Sequence, residues 1–247
     1  MKRRFIPVNA FTCKSELRTH QGNVRTHNED SLAARDDDGL WVVADGMGGH
    51  HAGDYASQKI ANTLKNANLR AYLVDVVEQV EDCLIRLNSE LIGYGHEQFN
   101  GNKVGSTVAC LVIRYGVAVA IWAGDSRVYL LRNNKLFRIS HDHSKVQEMM
   151  DVGHLTKEQA EQSRFKNMLT RAVGVHDELF VDINAFTVKP KDRFLICTDG
   201  LYNEISEAKI LQIIQQSKIQ KSSDRLMSEA LAGEARDNVS FILVEVQ

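Results

Sequence analysis

Apolar residues recur along this chain at two different periods. At positions 11–20 they partly alternate with polar ones, the two-residue repeat of a strand with one covered face. The runs 40–44, 106–114, 117–123, 193–198 and 240–246 are almost continuously apolar and short, so they read as buried strands. At 55–69 and 73–92 the spacing changes: Ile60 and Leu64, then Val76, Val80, Leu84, Leu87 and Leu91, fall on single helical faces and predict two long helices. Tyr115-Gly116 and Asn133-Asn134 are hairpin signals, the first joining 106–114 to 117–123 and the second joining 128–131 to 136–139. A polar loop is expected at 22–31, a further strand at 179–188, and helices at 207–216 and 224–232. Two short helices, 144–153 and 156–162, read as an exposed flap spanning about 144–168, the second opening on the capping-box pattern Thr156-Lys157-Glu158-Gln159. Strands cluster with strands and helices with helices, which predicts an α+β layered architecture rather than alternating βαβ units.

Composition narrows this picture only a little. The chain has 247 residues with 43% hydrophobic content, enough for one large core, and no Pro-, Gly- or Ser-rich linker or repeat divides it. One domain covering 1–247 is expected. The formal net charge of -2, with both signs interspersed, gives no electrostatic reason to expect nucleic acid or a membrane surface as partner. No apolar run approaches the roughly 20 residues of a membrane span, and the basic opening Met1-Lys2-Arg3-Arg4 is not followed by a signal-peptide core. Cys13, Cys83, Cys110 and Cys197 are scattered and read as free thiols. The expectation is a cytoplasmic, monomeric protein.

The chemistry is concentrated where strand-like runs end. Trp41-Val42-Val43-Ala44-Asp45-Gly46 and Phe194-Leu195-Ile196-Cys197-Thr198-Asp199-Gly200 each deliver a carboxylate to a strand mouth. The run 117–123 ends in Gly124-Asp125-Ser126-Arg127, and Arg236-Asp237-Asn238 leads into the last apolar run. Any one of these is best read as a turn. Together they suggest one shared site, and gathered carboxylates need cations, for which oxygen-only ligands select Mg²⁺ or Mn²⁺ over zinc.

Further motifs appear in a fixed order with these. They are Arg25-Thr26-His27-Asn28-Glu29-Asp30-Ser31, Ala44-Asp45-Gly46-Met47-Gly48-Gly49-His50, Gly105-Ser106-Thr107, Asp142-His143-Ser144, Leu169-Thr170-Arg171-Ala172-Val173-Gly174 and Asp237-Asn238-Val239-Ser240. This set resembles the PPM/PP2C family of metal-dependent protein serine/threonine phosphatases in its compact bacterial form, from about Thr19 to the end. The resemblance implies a four-layer α-β-β-α sandwich with two central antiparallel sheets. It implies that Asp45 bridges two Mn²⁺ or Mg²⁺ ions, that the Gly46 carbonyl binds one of them, and that Asp199 and Asp237 complete the other. Glu29 and Asp30 would hold metal-associated waters, Asp125 with Asp199 would hold a third ion, and Arg25 would grip the substrate phosphate. The reaction implied is attack on a phosphoserine or phosphothreonine ester by a water or hydroxide bridging the two ions, opposing a bacterial Ser/Thr kinase.

Some positions are weaker. Met47 stands where eukaryotic members carry a histidine, which leaves the leaving-group acid unassigned, with His143 a candidate. His50 reads as a maker of local hydrogen bonds. Arg127, Arg171 and Asn238 read as loop-bonding residues, and Ser163-Arg164-Phe165-Lys166 replaces the His-Pro pair of many bacterial relatives. Two rivals remain. A cysteine phosphatase requires a Cys-x5-Arg loop, which none of the four cysteines begins. A catalytically inert binding or scaffold member would typically lose a ligand or the arginine, and both are present.

Overall fold

The computed structural model describes residues 11–48, 52–216 and 218–247, so His50 and its expected local bonds lie outside the described residues. The strands are β1 (Cys13–His20), β2 (Asp30–Arg35), β3 (Leu40–Met47), β4 (Gly105–Ser106), β5 (Val108–Arg114), β6 (Val117–Ala123), β7 (Arg127–Arg132), β8 (Lys135–Arg138), β9 (Asp182–Thr187), β10 (Arg193–Cys197) and β11 (Val239–Val246). The helices are α1 (Ala52–Asn66), α2 (Leu73–Gln98), α3 (Lys145–Asp151), α4 (Lys157–Glu161), α5 (Asp199–Tyr202), α6 (Glu207–Gln216) and α7 (Ile219–Leu231). One sheet runs β1-β11-β10-β7-β8 and the other β2-β3-β5-β6-β9, with β4 paired to β3, and every pairing is antiparallel.

The central strands are apolar at every position because both of their faces are covered. In β3, Leu40, Val42 and Ala44 pack with Ile60, Leu64, Val80 and Leu84 of α1 and α2, while Trp41 and Val43 face the other sheet. In β10, Phe194 and Ile196 join that inter-sheet core, whereas Leu195 and Cys197 pack with Ile210, Ile213 and Leu226 of α6 and α7. The period-two alternation thus separates two cores rather than core from solvent, and it yields the four-layer α-β-β-α order. Both expected hairpin turns form: Tyr115 and Gly116 have φ of 53° and 78°, and Asn133 and Asn134 have φ of 52° and 58°. Positive φ at both central residues matches the right-handed twist of the flanking strands. The capping box at Thr156 also forms, its hydroxyl accepting from the Gln159 amide and the Gln159 side chain accepting from the Thr156 amide.

Four elements differ from the sequence reading. β2 starts inside the stretch expected as loop, α2 continues to Gln98 rather than ending near 92, α7 begins at Ile219 rather than 224, and α5 occupies a turn not anticipated as helix. β2 escapes because its first two residues are polar and its Ala33 and Ala34 carry little apolar signal; pairing with β3 over six residues decides its state.

Candidate active site

Strand polarity brings the candidate residues to one end of the sandwich. β3 and β6 run parallel to each other through the antiparallel β5 between them, so Asp45 at the end of β3 and Asp125 just beyond β6 emerge on the same side. β2 pairs with β3 so that Asp30 lies directly opposite Asp45. In the other sheet β10 ends where β11 begins, which sets Asp199 beside Asp237. Thr198 ties the two sheets together here, its hydroxyl donating to Asp30 Oδ2 at 3.0 Å.

Glycines permit the close approach. A Cβ on Gly46 would lie 2.0 Å from the Gly53 carbonyl oxygen, and one on Gly200 would lie 2.0 Å from the carbonyl oxygen of Asn238. The first keeps β3 against the start of α1. The second lets α5 sit on the start of β11, so that Asp199, the first residue of α5 rather than the last of a strand, comes next to Asp237.

Side-chain bonds fix the surrounding loops. Asn238, almost fully buried, accepts from the Glu29 amide at 2.8 Å and donates to the carbonyls of Gln21 at 3.0 Å and His27 at 2.9 Å. It therefore holds the segment carrying Arg25 and Glu29. Replacing it with alanine removes these three part-buried hydrogen bonds, and the expected loss of stability is about 2–4 kcal/mol, read as a lower urea midpoint together with reduced turnover. Arg127 meets Asp142 through two nitrogens, at 3.0 and 2.6 Å, and stacks 3.5 Å above the Tyr202 ring, whose hydroxyl donates to the Asp125 carbonyl at 3.1 Å. Arg127 and Asn238 are loop-bonding residues, as expected. Tyr202 was not anticipated, since nothing in a single tyrosine marks it as the brace of a loop nearly eighty residues away.

Arg25 stands at the rim, half-exposed, donating to Asp237 Oδ2 at 2.9 Å, and the charges of Glu29 and Asp45 also act on it. Inside the mouth the carboxylates raise one another. Asp45 is pushed well above the usual carboxylate range, first by burial and then by Asp30, Asp199, Asp125 and Asp237. Burial first, then neighbouring carboxylates, lifts Asp125 to about 8 and Asp199 to about 6; on Asp199 the flap residue Lys166 opposes the rise. Burial lifts Asp30 to about 7 against the hydrogen bonds from Ser240 and Thr198. Lys166 was read only as a departure from the His-Pro pattern. Its reach toward Asp199 depends on how the flap folds back, which no local signal reports.

These raised groups give a pH dependence with a definite sign. A carboxyl whose pKa is higher folded than unfolded binds more protons in the folded state, so stability falls as pH rises from the ordinary carboxylate range toward the folded pKa. In EDTA the melting temperature should decline between about pH 5 and pH 8. Excess Mn²⁺ should flatten or reverse that slope, because a bound cation favours the ionised form. Parallel melting curves across this range check it.

Among the described residues, no three His, Cys, Asp or Glu side chains are gathered closely enough to hold a metal ion unaided. The donor set still fits hard divalent cations. It is made of oxygen alone, its members are destabilised as anions by each other, and the buried Asp30 Oδ1 has no hydrogen-bond partner among the described residues. Mg²⁺ retains several waters and takes only one or two carboxylates directly, so a dedicated all-protein cage is not required. His143, the candidate acid, is buried; its Nδ1 accepts from the Gly124 amide at 3.1 Å and its Nε2 lies 3.3 Å from Asp182 Oδ2. Both ring nitrogens are thus engaged, Nε2 lying also 3.2 Å from Arg171 Nη1.

A sequence profile described as protein phosphatase 2C matches residues 19–234. The chain belongs to the protein phosphatase 2C family. Among its PP2C relatives, the serine/threonine phosphatase stp of Listeria monocytogenes is 33% identical over 239 residues, covering 94% of this chain and 95% of that one. Among solved PP2C structures, PppA, a key regulatory component of T6SS in Pseudomonas aeruginosa, superposes with a TM-score of 0.88 at 36% identity, over 95% of this chain and 98% of PppA. The catalytic domain of the serine/threonine protein phosphatase PstP, solved in complex with two manganese ions, superposes with a TM-score of 0.86 at 30% identity, over 96% and 99% of the two chains. The two-sheet PP2C architecture is therefore shared along nearly the whole chain.

Proposed function

We propose that this chain is a metal-dependent protein serine/threonine phosphatase, hydrolysing phosphoserine and phosphothreonine monoesters of proteins. The observation that carries the reading is the convergence of Asp45, Asp125, Asp199 and Asp237 at one end of the sandwich with Arg25 on the rim, in a chain of this family. In this reading Asp45, the Gly46 carbonyl, Asp199 and Asp237 hold two Mn²⁺ or Mg²⁺ ions, and Asp125 with Asp199 holds a third. Such ions supply the Lewis acidity that makes water a nucleophile at neutral pH and charge to offset that of the phosphoryl group.

The remaining roles fall to the chain's own groups. Arg25 directs two N–H donors at phosphate oxygens, fixing the phosphorus in the mouth as well as neutralising charge. Glu29 and Asp30, braced by Asn238 and Thr198, accept hydrogen bonds from waters and so orient them. The flap brings Lys166 into the field of Asp199, where it can meet an acidic residue flanking the phosphorylated one. Manganese in the PstP neighbour supports the metal assignment.

We also take the chain as one phosphatase domain over 1–247 with its flap at 144–168, acting as a monomer opposite a Ser/Thr kinase in the cytoplasm. Four free cysteines, three of them buried, fit a reducing compartment. No described helix is long and apolar enough to cross a membrane. The test is phosphate release from a phosphothreonine peptide with Mn²⁺, with Mg²⁺ and with EDTA. Release that needs metal establishes the activity; turnover confined to small metabolite phosphates would remove the protein-substrate half of the proposal.

A further inference from the structure

We propose that His143 is a positioning residue that fastens the Gly124-Asp125 turn to the returning segment of the flap, acting through Nδ1 as a hydrogen-bond acceptor. The proposal rests on the phosphatase reading for its effect on turnover, though not for its structural part. His143 touches the turn twice. Its amide donates to the Gly124 carbonyl at 2.9 Å, and its Nδ1 accepts from the Gly124 amide at 3.1 Å. Its own carbonyl accepts from the Thr170 amide at 2.9 Å, where the chain comes back from the flap.

The donor facing Nδ1 fixes the tautomer: Nδ1 carries no proton and Nε2 does. Nε2 lies 3.3 Å from the Asp182 carboxylate at the head of β9, which can accept that proton, and 3.2 Å from Arg171 Nη1, which also donates to Asp182. Trp122 covers one face of the ring, its plane 15° from that of the imidazole. Burial, followed by the Arg171 charge and opposed by Asp182, holds the imidazole below its ordinary pKa, so the neutral form with a free Nδ1 persists at pH 7.

The turn it grips is itself tightly seated. Gly124 has φ of 116°, and a Cβ there would stand 2.6 Å from Thr107 Cβ. Thr107 in turn bonds the Asp45 amide at 3.1 Å and the Ser126 hydroxyl at 2.7 Å. A continuous set of contacts therefore runs from the backbone of Asp45, through Thr107 and the Gly124 turn, to His143 and the flap. Loss of the Nδ1 acceptor would free the turn that carries Asp125 and the segment that follows Lys166.

Two conservative substitutions separate the ring nitrogens. Asparagine places its oxygen near the position of Nδ1, and glutamine places its terminal group near Nε2. H143N should keep turnover within about threefold of the parent, whereas H143Q should lose roughly tenfold in kcat, on the order of one unsatisfied buried donor. Amide exchange, measured without metal or substrate, should show Gly124 and residues 166–170 protected in H143N and faster in H143Q. This readout holds even if the parent protein proved to have no phosphatase activity, so failure of the one reading is distinguishable from failure of the other. Parent-like turnover and exchange in H143Q would overturn the proposal. So would equal losses in H143N and H143Q, since a merely space-filling role moves both alike.

Discussion

Asp45→Asn is expected to lower turnover of a phosphothreonine peptide by at least about 1,000-fold, the scale of losing several kcal/mol of metal-derived charge stabilisation. The substitution preserves volume, so a lost fold is not the cause. Asp45 is held by its backbone: its amide donates to the Thr107 hydroxyl at 3.1 Å and its carbonyl accepts from the Thr107 amide at 2.8 Å. Its side chain, in contrast, is disfavoured as an anion, first by burial and then by Asp30, Asp199, Asp125 and Asp237. Removing that charge should leave the protein in EDTA at least as stable as the parent at pH 8, while the stabilisation gained from Mn²⁺ shrinks. Melting curves with and without Mn²⁺, run beside the assay, separate the two effects. An inactive variant that melts well below the parent in EDTA would mean that Asp45 serves the fold instead.

Arg25→Lys is expected to cut kcat/KM by roughly 30–100-fold, with melting unchanged within about 0.5 kcal/mol. Arg25 is half-exposed and donates to Asp237, a rim pair worth under about 1 kcal/mol to stability. Lysine keeps the positive charge but offers a point rather than a fork, so it tests the two-pronged grip on phosphate and not simple attraction. A KM rise larger than the fall in kcat would place the contact mainly in substrate binding. A lysine variant as active as the parent would remove Arg25 from phosphate recognition.

The comparison between sequence and structure is most instructive where single residues are concerned. Asp45 and Asp237 could be singled out because each abuts an apolar run, and the pairing of β3 with β2 and of β11 with β10 then carries them to the mouth. Asp199 was singled out for the same reason, yet it begins a helix: four residues are too few for a helical period to show. Lys166 and Tyr202 gave no signal, because each matters only through a contact with a segment distant in sequence. His143 looked like a candidate acid by residue type alone. Its environment, a buried ring with both nitrogens engaged, assigns it elsewhere.

The sequence by itself determined the layered α+β class, the hairpins at 115–116 and 133–134, the two long helices and the identity of the carboxylates, because each follows from local period, turn chemistry or ordered motifs. Only the tertiary structure decided that residues 168 apart, such as Asp30 and Thr198, share a hydrogen bond, and that the flap returns through His143 beside Asp125. Strand direction and sheet order bring those groups together, and both are fixed by packing two cores at once, a long-range constraint that leaves no periodic trace along the chain.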